Sequence, residues 1–384
     1  METNVALPLM SDVDVARRVL AHIDAGTTDE GDGWREPVDH YLDPTRFAAE
    51  LALLRSLPSV FAPSAAVAGP GDHVARTVYG VPLFAIRDRD GHVRVFRNAC
   101  RHRGVPLVEG AGCARALVCP YHGWTYRLDG ALAHIPHGEA FPDVDVADHG
   151  LVEVESHELD GLVVIGALDG SPAGFDELIG GRPWRDLLDA TMRATVVSTL
   201  KAMNWKVLVE QFLEGYHIRT THRDSFFPLQ YDDLNVVERF GRNVRVTYPY
   251  RNIERLRERA EAAWSVRERV TFVYHLFPNV MVATFPDQVT VIVVDPVDVG
   301  RSQLTTYTVV GADRQRPDAP ASAGATGDER PLLVRGALED DAMSRGVQAG
   351  LASGANTVLE FGRHESAIGH FHRQLADLLD GAAP

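Results

Sequence analysis

Cysteine is scarce, three in 384 residues, so no disulfide framework holds this chain together. Apolar runs are short, and none approaches the ~18 residues of a membrane-spanning helix. Positive charge is in the minority: 38 Lys and Arg against 53 Asp and Glu leave a formal net charge of −15. That balance argues against a nucleic-acid binder, whose phosphate contacts need a basic face. It argues equally against docking on anionic lipid. The opening METNVALPLMSDVDVARRV lacks a basic stretch followed by an apolar one, so no secretory leader is expected. A reducing, cytoplasmic location is the expectation. There is no internal repeat and no glycine-rich dinucleotide fingerprint.

What is there is an ordinary globular composition, 45% hydrophobic and 24% charged, in a chain long enough for two or three domains. Residues 11–25 read as an amphipathic helix. A second helix begins with Asp43 as N-cap and Pro44 at its first position, carries Phe47, Leu51, Leu54 and Leu57 at helical spacing, and is stopped by Pro58. Between residues 76 and 166 the pattern changes to short β-runs at 77–79, 83–86, 93–96, 117–118, 124–128 and 162–165. Asp90-Gly91, Asp129-Gly130 and Asp160-Gly161 mark turns between them, which suggests a small all-β domain. Residues 185–225 turn helical. Strands return at 244–248, 270–274, 280–284, 289–294 and 304–310, as a larger antiparallel sheet, with a charged helix at 251–264. Residues 312–330, rich in Ala, Pro, Gly and Asp, read as a mobile surface loop, and a last helical region runs over 332–380.

Two constellations carry chemistry. Cys100-Arg-His102 and Cys119-Pro-Tyr-His122 are separated by sixteen residues, and each follows a predicted strand. Two loops at one end of a β-domain can converge on a common ligand. Two thiolates and two imidazoles suit either one zinc ion or a 2Fe–2S cluster with cysteines on one iron and histidines on the other. Gly104 and Gly123 allow close backbone approach. Cys113 has no partner in this segment and reads as a small packed hydrophobe.

The second constellation is NWKVLVEQFLEGYHIRTTH, residues 204–222. Trp205, Leu208, Phe212 and Tyr216 recur at helical spacing, which places Glu210, Glu214 and His217 on the opposite face. His217 and His222 are five apart, about 140° of rotation, so a straight helix would not aim both at one ion. Gly215 and Thr220-Thr221 allow a break between them. Two histidines and one carboxylate with open positions form the facial triad of oxygen-activating non-haem Fe(II) sites.

Taken together, CRHRG…CPYHGW resembles the cluster motif of Rieske non-haem iron oxygenases, and NWK…E…LEGYH…H resembles the mononuclear-iron motif of the same family, that of the alpha (catalytic) subunits of aromatic ring-hydroxylating dioxygenases. Respiratory Rieske proteins resemble it less, because their extra cysteine in each loop and their membrane anchor are missing. The resemblance implies that Cys100, His102, Cys119 and His122 hold a 2Fe–2S cluster and that His217 and His222 bind mononuclear Fe(II). It implies a third ligand eight positions before the Gln of a Q-x-G-L element. Counting back from Gln348 gives Asp340, with Asp341 and Glu339 as competitors. Glu214 would link His217 to His122 of a neighbouring chain. Gln211 stands where the family usually has Asn.

The fold so implied is α+β: a small all-β Rieske domain and a larger catalytic domain whose antiparallel sheet is wrapped by helices, a helix-grip or START-like arrangement. The expected boundaries are 1–60 for a helical segment packing on the catalytic domain, 61–170 for the Rieske domain and 171–384 for the catalytic domain. The function implied is that of a terminal oxygenase component. It would use O2 and electrons from NAD(P)H, delivered by a separate reductase with or without a ferredoxin, to hydroxylate an aromatic or related small organic substrate. The alternatives are oxidative demethylation of a quaternary amine or methyl ether, or a non-enzymatic Rieske electron carrier. A homo-oligomer, a trimer or a multiple of three, is expected, with no nucleic acid and no membrane. Tyr248, Phe272, Tyr274, Phe277, Met281 and Phe285 are the candidates for the substrate pocket. Rings of this kind can accept an arene or cage a quaternary ammonium group.

Overall fold

Local signals place the first helices. Ser11 accepts the Asp14 amide to start the helix Asp12–Ala25, and Gly26 ends it in the left-handed region. Asp43 accepts the amides of Thr45 and Arg46 and starts Pro44–Ser56. These belong to a computed structural model that describes residues 9–172, 174–175, 184, 187–188, 191–311 and 329–381.

Short strands then build a small β-unit. A five-stranded antiparallel sheet runs in the order Glu153–Val154, Val93–Arg97, Val81–Arg87, Asp72–Val78, Ala111–Cys113. A three-stranded sheet of Leu117–Val118, Thr125–Tyr126 and Leu132–His134 faces it across Phe84, Phe96, Trp124 and Tyr126. The turn at Gly130 needs glycine twice over: φ is +83°, and a Cβ there would lie 2.5 Å from the ring of Phe96. The chain enters this unit on Ser59–Pro63 and leaves on Leu162–Ile165, and these two strands pair directly.

The larger unit is a seven-stranded antiparallel sheet in the order Arg193–Lys201, Arg301–Val310, Val289–Asp298, Val280–Thr284, Val270–Leu276, Asn243–Pro249, Val236–Phe240. Alternation along the strands turns Thr199, Thr271, Val273, Thr290, Ile292 and Thr306 to one face. The long helix Glu329–Leu351 and the segment from Trp205 to His222 cover that face, so a sheet gripped by helices is the observed architecture. One apolar core runs through both units. A buried ion pair, Arg76 Nη1 to Asp295 Oδ2 at 2.6 Å, and a hydrogen bond from Tyr79 Oη to Asn279 Oδ1 at 3.0 Å fasten them together.

Several expectations need correction. Residues 193–201, expected helical, form a strand paired along its whole length with Arg301–Val310. The charged stretch 251–264 makes only short 3-10 turns, Arg251–Glu258 and Glu261–Ala263. The last helical region is two helices, Glu329–Leu351 and Ser366–Gly381, separated by the strand Val358–Phe361. Cys113 is exposed on an edge strand rather than packed inside. Most of the expected loop, residues 312–328, lies outside the described residues.

Two buried histidines make the fold acid-sensitive. Burial holds His275 and His370 neutral and pushes both down to about 4. The unfolded chain takes up these protons below about pH 6.5, so unfolding gains protons as pH falls from 6.5 towards 4 and stability drops in that window. Each ring contributes up to roughly 3 kcal/mol of that loss. Urea unfolding of His275→Phe should show a flatter dependence on pH between 6.5 and 4 than the parent, by close to one proton. An unchanged slope would remove His275 from this account.

Candidate functional site

The two Cys/His loops meet at one end of the small β-unit. Each loop is a tight turn: the Gly104 amide donates to the Cys100 carbonyl at 2.8 Å, and the Gly123 amide to the Cys119 carbonyl at 3.0 Å. Gly104 and Gly123 have φ of +77° and +73°, conformations that L side chains rarely adopt. His102 Nδ1 and His122 Nδ1 are 3.1 Å apart, and the Cys100 and Cys119 thiols are neighbours. The cysteines are buried, while His122 is exposed. His102 stacks on Trp124 with centroids 5.0 Å apart. The Tyr126 oxygen accepts the Arg101 amide at 2.9 Å and lies 3.2 Å from Cys100 Sγ, so its hydroxyl hydrogen can serve a cysteine sulfur. Burial pushes the Cys100 thiol pKa up, against the hydrogen bond from Tyr126 that lowers it. Two buried sulfurs on the inside and two ring nitrogens on the outside fit a cluster with chemically distinct irons.

The second site is built where the segment 204–222 ceases to be a single helix. Asn204 caps Trp205–Glu210 by accepting the Lys206 amide, and the chain then turns through residues 211–217 before the short helix Ile218–Thr221. The turn is allowed because Gly215 packs against Asn235, whose oxygen would lie 2.6 Å from a Cβ. The uninterrupted stripe expected from spacing is therefore broken: Tyr216 is exposed, and Glu210 points into the core, where it accepts from Tyr41 at 2.6 Å and meets His372 at 2.9 Å. The same break brings His217 Nε2 within 3.2 Å of His222 Nε2.

Helix Glu329–Leu351 delivers three consecutive acids in three directions. Asp340 Oδ1 lies 2.9 Å from His222 Nε2 and 3.5 Å from His217 Nε2. One ligand atom from each of these residues falls within 4.8 Å of the others, the only such group of three among the described residues. Asp341 turns to Lys201 Nζ at 2.5 Å and Arg345 Nε at 2.7 Å. Glu339 accepts from His222 Nδ1 at 2.8 Å and from Ser225 Oγ at 2.5 Å. Glu214 accepts from His217 Nδ1 and from the His217 amide. Both imidazoles thus have Nδ1 held by a carboxylate and Nε2 presented to a common point, with Asp340 beside them. That donor set and orientation fit one divalent metal ion with open positions. Sequence reasoning had Glu339 only as a rival ligand; its role in fixing His222 follows from helix phase.

Charge follows the geometry. Burial disfavours a charged His217, but the hydrogen bond and charge of Glu214 outweigh it and raise the pKa. At Glu339 burial works upward, yet the bonds from His222 and Ser225 win and lower the pKa. Burial beside Glu214 and Asp340 holds the Tyr248 hydroxyl well above its usual value; it donates to the Phe212 carbonyl at 2.8 Å.

The triad opens on a cavity of about 450 Å3 between sheet and helices. Of the expected pocket residues, Tyr248 and Phe285 line it. Phe272 and Tyr274 are not among its lining, and both rings sit against Arg245; Phe277 packs on Phe371, and Met281 is core. Phe212 and Phe226, not foreseen, complete the aromatic wall. Gln211, also lining it, accepts from Ser344 on the long helix at 2.5 Å. Phe226 lies against His222, centroids 4.9 Å apart, over Gly336, where a Cβ would come within 2.2 Å of the ring.

Comparison with known proteins places both units. A family model for the Rieske [2Fe-2S] domain matches residues 58–149, and one for the ring hydroxylating alpha subunit (catalytic domain) matches residues 181–381. The carnitine monooxygenase oxygenase subunit of Escherichia coli K12 is 27% identical over 369 residues, covering 90% of this chain and 94% of that protein. The corresponding subunit of Acinetobacter baumannii is 32% identical over 165 residues, 41% of this chain and 44% of that protein. The crystal structure of the quaternary ammonium Rieske monooxygenase CntA with L-carnitine superposes with a TM-score of 0.73 at 22% identity, covering 97% of this chain and 99% of that one.

Proposed function

Because the chain belongs to the ring-hydroxylating oxygenase alpha-subunit family and is a Rieske oxygenase terminal component, we propose that Cys100, His102, Cys119 and His122 hold its 2Fe–2S cluster and that His217, His222 and Asp340 hold its mononuclear iron. The observation that carries this reading is the convergence of His217, His222 and Asp340 on the wall of the cavity between sheet and helices. When bound, the cluster supplies single electrons and the Fe(II) centre activates O2. The chain's own residues do the rest. Glu214 and Glu339 hold the Nδ1 protons, fix each ring's tautomer and raise the basicity of Nε2. Asp340 supplies the anionic ligand, while Lys201 and Arg345 draw Asp341 away from competing with it. The apolar wall keeps water from the substrate's reacting carbon.

Electrons come from a separate NAD(P)H-dependent reductase, and the substrate is a small organic molecule. An exposed His122 suits a bridge to Glu214 of a neighbouring chain, so the working unit would be a trimer or a multiple of three. Residues 1–60, 61–170 and 171–384 are the proposed helical segment, Rieske domain and catalytic domain, a division supported by the direct pairing of Ser59–Pro63 with Leu162–Ile165. Among the described residues no helix is long and apolar enough to cross a membrane, and the proposed location is the cytoplasm. Hydroxylation of an aromatic or similar small substrate remains the broad reading. The relatives that act on carnitine, with the rings of Phe226, Tyr248 and Phe285 in the cavity, favour N-demethylation of a quaternary amine as the second reading.

Anaerobic reconstitution tests the assignment. We expect about three irons and about two acid-labile sulfides per chain, with a brown protein and, given a surrogate reductase, oxygen uptake matched by product. One metal per chain without sulfide would end it.

A further inference from the structure

A second cavity, of about 250 Å3, adjoins the one over the triad. Phe226, Phe285 and Leu333 line both, so the two spaces share one partition. Phe226 is the fixed side of that partition, seated between His222 and the bare backbone of Gly336. Phe285 stands at the hairpin tip between Val280–Thr284 and Val289–Asp298, its amide donating to the Gln288 carbonyl at 2.9 Å. A side chain at a hairpin tip has more freedom than one wedged on a helix.

The residues that line only the second cavity are of mixed character. Pro228, Leu229 and Leu332 are apolar, whereas Arg251, Asn252 and Glu268 are charged or polar. The Arg251 guanidinium lies over the Phe227 ring at 5.2 Å and the Tyr231 ring at 4.9 Å, and donates to the Phe227 carbonyl at 3.3 Å. It makes no ion pair with a described residue, so it is held in place with donors to spare. Glu268 is exposed and has no such ring contacts to fix it. Arg251 is exposed as well, and it differs from Glu268 in being seated against two rings.

We propose that the two cavities form one bipartite substrate cleft for an elongated organic anion. The reacting, apolar end lies beside His217, His222 and Asp340. The body passes between Phe226 and Phe285, and a carboxylate is received by Arg251, whose planar fork matches it bidentately. The second space enlarges the room for substrate by roughly half, beyond what a molecule confined to the first cavity would use. This deepens the oxygenase reading and rests on it for which end reacts.

Binding alone tests it. Calorimetric titration of the anaerobic, metal-loaded enzyme with phenylacetate, phenylbutyrate and phenylhexanoate, and with the matching amides, needs no turnover. The longest acid should bind at least about tenfold tighter than phenylacetate, and about tenfold tighter than its own amide. Arg251→Met should abolish the advantage of acid over amide and leave the amide unchanged. Phe285→Trp, narrowing the aperture, should weaken the long acid more than it weakens phenylacetate. Equal binding of acids and amides, no gain with length, or an acid affinity untouched in Arg251→Met would each overturn the proposal, as would tighter binding of the matching amines. Iron and sulfide contents of the same preparations report separately on the oxygenase assignment.

Discussion

Asp340→Ala should lower product formation by more than about 100-fold, since even substitutions behind a metal ligand commonly cost 10–100-fold. Its visible spectrum should be unchanged, because Cys100 and Cys119 pack within the small β-unit's own cluster, to which no residue of the triad belongs. Iron content should fall by one per chain with sulfide constant. Asp341→Ala is the control: that carboxylate is taken by Lys201 and Arg345, so mononuclear iron should stay bound. If the Asp341 variant loses its iron while the Asp340 variant keeps it, the ligand has been assigned to the wrong neighbour.

The second large effect belongs to Glu214. Its carboxylate accepts the Nδ1 proton of His217. Glu214→Gln keeps the shape and an accepting oxygen but removes the charge, so both metals should remain bound. Single-turnover product formation should nevertheless slow by about 10–100-fold, the range for such supporting partners. If the residue also contacts a neighbouring chain's His122, reoxidation of the cluster during that turnover should slow by the same factor. Unchanged single-turnover rates with full metal content would refute the bridge. Slowed product with unchanged cluster reoxidation would confine Glu214 to orienting His217.

The parts of this site that could be read from sequence are those whose converging residues lie close along the chain. Cys100 with His102, and Cys119 with His122, need only a tight glycine turn each to converge, so spacing carries the geometry. His217 and His222 were legible together with the reason a straight helix would fail, and the turn at residues 211–217 supplies the break. The three acids 339–341 could not be sorted by type or by count. Successive positions on a helix point about 100° apart, so neighbours of identical charge meet His222 Nδ1, the two Nε2 atoms and Lys201 respectively. The strand Arg193–Lys201 was misread because its inward row, Val197, Thr199 and Lys201, faces a cavity rather than a dry core, so the usual alternation of apolar and polar is weak. Likewise Phe272 and Tyr274 looked equivalent to Tyr248 until strand register assigned them to the other face.

One small ribbon cannot form until its second strand, more than three hundred residues later, has been made. Trp34–Pro37 pairs with Val358–Phe361, with Trp34 opposite Phe361, a span of 361 − 34 = 327 residues. Trp34 also stacks on His372 and fills the space left beside Gly369. At ~5–20 residues per second of synthesis, the early strand is without its mate for roughly 15–65 seconds. The strands Ser59–Pro63 and Leu162–Ile165 can pair much sooner, while the partners of Arg76 and Tyr79 in the larger sheet, Asp295 and Asn279, are still to be made.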